Sequence, residues 1–361
     1  MNRAWRIAAF CLVCFCMGLG SAFAGPDQES SGGRDRDRDR DRDRARSRVT
    51  TIKLASLVPE NTPWGDALNK MAAEWAAATN GEVELKIYHN GSAGSEADAL
   101  RKLKMNQIQA AILSTFGLNA ITPGIMTLSC PFLIRDNTEL DLVLNDLKPD
   151  LEQGINDKGF YFLAWSKVGW VKFFSKAPVF TPADLKRQKL GTNENEPALM
   201  DAFKAMGYQM VPVAMNQVLV YLNGGMIDAV YQSPVNVGGL QIFGMAKNMA
   251  SINVAPFMGG IVMNQTAWRS IPDKYKPELL RISRKLETGL DASIQQLEAD
   301  MIETMRDYGL EINQLSPAQE QLWFDDVNRI VPSLFGTTLD KTIYGRIEGI
   351  LQAHRTGRAG R

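Results

Sequence analysis

Strand-like and helix-like runs alternate from Thr51 to Leu113, and that rhythm admits few architectures. Thr51 to Leu57 is β-like. Trp64 to Ala78 reads as a helix, with Leu68, Met71, Ala72 and Trp75 on one face. Val83 to Tyr88 is a second strand, Ser95 to Met105 a second helix, and Ala110 to Leu113 an apolar third strand. Such alternation calls for a mostly parallel sheet with helices on both faces. The rhythm resumes from Gly159 and runs through Asp228-Ala229-Val230-Tyr231. The last third differs. From Tyr275 to Tyr308 apolar residues recur every three or four positions, at Leu279, Ile282, Leu286, Leu290, Ile294, Leu297, Met301 and Met305. They predict one amphipathic helix of about nine turns, longer than one small domain is wide, which Gly289 interrupts at modest cost. The roughly 300 residues from Val49 suffice for two domains of ordinary size.

The ends carry export information. Arg3 and Arg6 precede an apolar run from Ile7 to Leu19, and Ala22-Phe23-Ala24 before Gly25 reads as a cleavage site, so residues 1–24 form a secretory signal. That run is too short to span a bilayer. Phe10, Val13 and Phe15 precede Cys11, Cys14 and Cys16, where lipoprotein processing needs a small residue, which argues against lipidation. After cleavage Cys130 alone remains and no internal disulfide can form; its apolar neighbours predict a buried, inert thiol. Residues 25–48 contain a strict Arg-Asp alternation from Arg34 to Arg44, read as a disordered spacer because the charges cancel and nothing apolar can build a core. Lys plus Arg equals Asp plus Glu at 40 each, which does not make a nucleic-acid-binding surface. Residues from His354 onward read as a basic flexible tail.

Gly169 to Gly207 reads as strand, turn, short helix, strand and longer helix. Val171 to Ser175 is β-rich, Thr181-Pro182-Ala183-Asp184 starts a helix, and Gln188 to Thr192 leads into Pro197 to Met206. This stretch resembles the solute-binding proteins of TRAP transporters, the DctP-like family. Further motifs carry the resemblance across the chain. Leu54 to Trp64 looks like the family's first strand and ligand-facing loop, and Tyr88 to Glu96 resembles its Y-P-N-G-x-L-G-x-E turn. Cys130 to Asp136 resembles L-P-F-L-F-R-D, and Leu222 to Asp228 resembles L-x-x-G-x-x-D. The resemblance implies an α/β two-domain periplasmic solute-binding fold with a hinge, a central cleft and a long helix spanning both domains. Domain I would comprise 49–168 plus 257–296, and domain II 169–256 plus 297–353.

It also implies a ligand cleft, position by position. The loop after the first strand supplies Glu60, Asn61 and Trp64, and the end of the third strand Thr115 and Phe116. Trp165 and Trp170 flank the crossover. The family's arginine clamp, at the end of L-K-G-L-K-I-R, falls on Gly191, followed shortly by Asn193; its second cation, in G-F-R, falls on Val171. Met215 stands where an aromatic often precedes S-E-V-Y, and Tyr231, Gln232 and Ser233 stand at the second hinge. A guanidinium pairs a carboxylate through two parallel charge-assisted hydrogen bonds, which no neutral residue reproduces. The ligand is therefore expected to be apolar or amphipathic. The pattern, with Val254 to Gly260, is similar to the branch associated with periplasmic TPR-repeat proteins, so such a protein joins the membrane permease as an expected partner.

Catalysis is not expected, and no cofactor or metal is implied. The exported chain holds only His89 and His354, too few for a His-based triad or a multi-histidine zinc site. Asp300 and Glu303 fall on the solvated face of the long helix, and Asn90-Gly91-Ser92-Ala93-Gly94 lacks the Lys-Ser or Lys-Thr of a phosphate cradle. An interaction or sensor scaffold without transport duty is the alternative reading.

Overall fold

A computed structural model describes residues 49–193, 197–214 and 217–359. Residues from Val49 onward form one compact unit. The signal segment and the Arg-Asp tract lie outside the described residues.

The first half follows the expected alternation: β1 (Thr50–Ala55), α1 (Pro63–Ala78), β2 (Val83–Tyr88), α2 (Glu96–Lys104), β3 (Ala110–Ser114) and α3 (Thr115–Asn119). Pro63 at the first helical position and the Thr62 cap, whose hydroxyl accepts from the Gly65 N–H, fix where α1 begins. A capping box between Ser95 and Asp98 does the same for α2. A 3₁₀ turn, Ile125–Ser129, leads to α4 (Asn137–Asn156) and then to β4 (Phe160–Ser175), sixteen residues long. Next come α5 (Pro182–Lys186), β5 (Lys189–Asn193), α6 (Pro197–Ala205), β6 (Gln209–Val213), α7 (Val218–Asn223), β7 (Ala229–Gln232) and α8 (Pro234–Gly239). The chain continues with β8 (Asn248–Ala250), β9 (Ala255–Asn264), α9 (Gln265–Ser270), α10 (Lys276–Gly289), α11 (Asp291–Asp307), β10 (Glu311–Asn313), α12 (Pro317–Leu334) and α13 (Lys341–Ala359).

The strands run in the order β2-β1-β3-β9-β4-β7-β5-β6, with β8 on β4 and β10 on β8. The first three are mutually parallel, as are β5, β6 and β7; β9 joins β3 and β4 antiparallel, and β4 joins β7 antiparallel. β4 is thus shared by two sheet halves. Its register against β9 shifts between Phe162 and Ala164 and again between Lys167 and Gly169, the second shift lying where it passes from one half to the other. This shared strand gives the two-lobed α/β architecture its physical basis. Among the described residues no helix is long and apolar enough to cross a membrane.

Two expectations are corrected. The helix expected over Tyr275 to Tyr308 is split into α10 and α11 with Leu290 between them, its backbone still helical at φ −89° and ψ −28°. α10 packs on α1 and β4, α11 on α8 and β4, so the pair still runs across both sheet halves. The tail expected to fray from His354 is instead helical through Ala359. Its Arg355 grips buried Glu139 of α4 through two bonds of 2.8 Å, Nε to Oε1 and a terminal nitrogen to Oε2, and that tertiary pair outweighs the segment's polar composition.

Candidate functional site

The loop after β1 is folded onto the start of α1. A Cβ on Gly65 would lie 2.0 Å from the Glu60 carbonyl oxygen, so only glycine lets the 59–62 turn close over the helix. Glu60 and Asn61 are exposed on that turn, while Trp64 is half-buried against the cluster that holds Leu68, Met71 and Trp75.

At the end of β3, Thr115 is buried and donates its hydroxyl to the Met258 carbonyl at 3.1 Å. Ser114 donates both its N–H and, at 2.8 Å, its hydroxyl to the Glu96 carboxylate, which reaches over from the first turn of α2. Burial raises the pKa of Glu96, opposed by the donors of Ser114 and Gly117. Glu96 therefore anchors the short turn that presents half-buried Phe116. Reading the sequence for ligand contacts missed it, although its place just inside a capping box was visible.

β4 and β9 form the floor. Ser114 pairs Gly259 on β9, and Gly259 pairs Ser166 on β4; farther along β4, Lys172 pairs Gln232. The ends of β3 and β7 thus meet the same strand six residues apart, a span of roughly 20 Å. Along this floor Trp165 and Trp170 are 2 % and 6 % exposed, too little to stack on a ligand in this conformation. Their indole N–H groups donate to Glu152 at 2.8 Å and to Asn137 at 2.9 Å, both on α4. Val171 is buried.

On β5, Gly191 points toward the cluster of Val213, Ile227 and Val230; an added Cβ would lie 2.8 Å from Ile227 Cδ1 and 3.2 Å from Val213 Cγ1. Tyr231 packs its ring between Phe173 and Phe203, with centroids 5.8 Å from each. Gln232 accepts from the Asn236 amide at 3.1 Å, and buried Ser233 caps α8 by accepting from the Asn236 N–H. The side chain of Asn193, and Met215 altogether, lie outside the described residues.

One cation, Lys172, follows Val171 directly on β4. Lys172 is 7 % exposed and donates to the Ser251 carbonyl at 3.0 Å and to Asn253 Oδ1 at 2.8 Å. Burial pulls its pKa down to about 8, against the attraction of Glu298. Glu298, on α11, accepts from the Trp170 N–H at 3.2 Å, and burial raises its own pKa.

A profile of the bacterial extracellular solute-binding proteins of family 7, DctP, matches residues 54–337, most of the chain. The chain belongs to the DctP family. Among relatives of this DctP protein, the 2,3-diketo-L-gulonate-binding periplasmic protein YiaO of Escherichia coli is 26% identical over 237 residues, covering 65% of this chain and 72% of the relative. The C4-dicarboxylate-binding protein DctB of Bacillus subtilis is 23% identical over 294 residues, covering 80% and 83%. A TRAP periplasmic solute-binding protein of Sulfurospirillum deleyianum with bound succinate superposes with a TM-score of 0.73 at 23% identity, covering 83% of this chain and 98% of its own. One of Roseobacter denitrificans with bound β-D-glucuronate gives 0.75 at 19%, covering 82% and 99%. The DctP protein is accordingly a TRAP-type solute-binding protein of α/β fold and not an enzyme.

Proposed function

We propose that this DctP protein is exported through residues 1–24 to the periplasm, where it captures a small apolar or amphipathic ligand between two lobes and delivers it to a TRAP membrane permease. The lobes would be 49–168 plus 257–296 and 169–256 plus 297–353, closing about the shared strands β4 and β9. The observation that carries the ligand class is the chemistry at the two clamp positions. Val171 and Gly191 offer no charge, the direction a side chain at Gly191 would take is filled by Ile227 and Val213, and the nearby Lys172 ammonium is spent on Ser251 and Asn253. A carboxylate in this cleft would lose its water without gaining a guanidinium.

The buried indoles of Trp165 and Trp170 shift the weight of this reading from aromatic stacking to the missing cations. A periplasmic TPR-repeat partner accompanies the proposal as the feature of the clamp-free branch. The relatives named for acids supply the competing outcome. Protein purified from its native host without refolding should carry a stoichiometric apolar or amphipathic molecule, seen by native mass spectrometry and identified after organic extraction. Micromolar calorimetric binding of succinate or a hexuronate would overturn the ligand class. An empty cleft that stays empty in periplasmic extract, together with tight binding of a partner protein, would favour the scaffold reading.

A further inference from the structure

A cavity of about 110 Å³ lies between the loop 130–135 and the helices α12 and α13, and none of the cleft residues named above lines it. Its wall holds an arginine without an ion pair. Arg135 lies over Phe324, the guanidinium carbon 3.6 Å from the ring centroid, and its Nε is buried with no hydrogen-bond partner. Among the described residues no carboxylate lies within 4.0 Å of its guanidinium. The obvious counter-ion is taken. Both oxygens of Glu139 are held by Arg355, and the Arg135 main-chain N–H donates to one of them at 2.9 Å.

The same loop is fixed at several points. The Arg135 carbonyl accepts from Asn253 at 3.0 Å, the Phe132 N–H donates to the Val254 carbonyl at 2.6 Å, and Phe132 itself is held at φ 58°, a conformation bulky residues avoid. Arg135 is thus presented from a rigid frame. Around it the cavity offers neutral donors from Tyr344, Asn328 and Gln352, and apolar wall from Val327 and Val331. We propose that this cavity is a second ligand site, which takes a small monocarboxylate, its oxygens on Arg135 and the neutral donors and its short apolar tail against the valines. Arg355 also lines the cavity, its charge balanced by Glu139, and two further acidic groups tip the net charge. Exposed Glu348 lines the cavity and Glu320 acts on Arg135 from nearby, so a second negative charge on the ligand is opposed. The volume suits a ligand of acetate or propionate size.

The test is calorimetric titration of the mature protein with propionate, and separately with succinate and inorganic phosphate. The expected result is saturable one-to-one binding of propionate, at least about tenfold tighter than phosphate or succinate, and weakened about tenfold or more by Arg135→Gln. Asn328 is exposed, and Asn328→Leu, a swap of nearly the same shape, replaces one of the cavity's neutral donors by methyl groups with little reason to disturb the fold; it should also cost the protein most of its propionate binding. Absence of propionate binding overturns the proposal. So does propionate binding that survives Asn328→Leu, which would place the anion elsewhere, the cleft included, and would count against the clamp-free reading as well. Loss of propionate binding in Asn328→Leu, with the native apolar ligand retained, separates the two sites.

Discussion

Lys172 keeps an ammonium where little water reaches. Its pKa of about 8, against 10.5 for an ordinary lysine, means that between those pH values the unfolded chain holds a proton that the folded protein has released. Stability must therefore rise with pH across that window as far as this group is concerned, by on the order of 3 kcal/mol in all. Urea unfolding of wild type and Lys172→Met at pH 8 and pH 10 should show the wild type gaining on the variant; parallel curves would refute the assignment. Glu96 has the opposite sign. Its raised pKa lets the folded state bind the extra proton, so its contribution to stability is complete below pH 4.5 and is lost as pH rises through the folded value. What keeps Glu96 in place at neutral pH is its bonds from Ser114. Glu96→Ala leaves those donors unpaired and should cost about 1–3 kcal/mol in urea unfolding at pH 7, with a larger loss of ligand affinity than of stability if the 114–116 turn faces ligand. Cys130 completes the set, since burial pushes its thiol up to about 12; iodoacetamide should label it only after unfolding.

At the scale of elements, the regular α/β units could be read from period and caps, whereas β4 and α13 could be read only in part. Only Val171 to Ser175 was legible as strand, because most of β4 is buried on both faces and two register shifts break the alternation that marks a half-exposed strand. α13 hides behind Arg, Gly and Gln, and its reason to be helical lies in Glu139, over two hundred residues away. Arg355→Ala should strand that carboxylate, 5% exposed, and lower stability by about 3 kcal/mol, with the far-ultraviolet helix signal falling at lower temperature than in wild type. The cleft was legible as a set of loops, since Thr62, Ser95 and Pro63 announce where the helices begin. Which side chains point into it was not, because Trp165 and Trp170 are turned toward α4 by acceptors on Glu152 and Asn137 that no local pattern reveals. Gly169 is where β4 passes between sheet halves: φ is 121° and an added Cβ would lie 2.4 Å from Glu298 Oε2. Gly169→Ala should cost about 1–3 kcal/mol of strain and detach α11 from β4, seen as faster amide exchange at Trp170 than in wild type.

The whole molecule is held across its sheet halves by elements of different stiffness. Arg284 is locked to Glu152 and Glu287, its pKa raised because these carboxylates outweigh its burial, and Lys148 also pairs Glu287, which ties α10 to α4 within one half. Lys167, by contrast, reaches both Asp141 of α4 and Asp291 at the start of α11, at the level where β4 changes register and α10 gives way to α11. Lys167 links those two irregularities, which makes this line the expected place for the halves to bend. If the lobes close on their ligand about this line, small-angle scattering of the mature protein should show a smaller radius of gyration with the native ligand bound than after its extraction. Propionate, confined to the cavity beside α13, should leave the radius unchanged. An unchanged radius on binding the native ligand would mean that the lobes do not close about β4, and the hinge would have to be sought elsewhere.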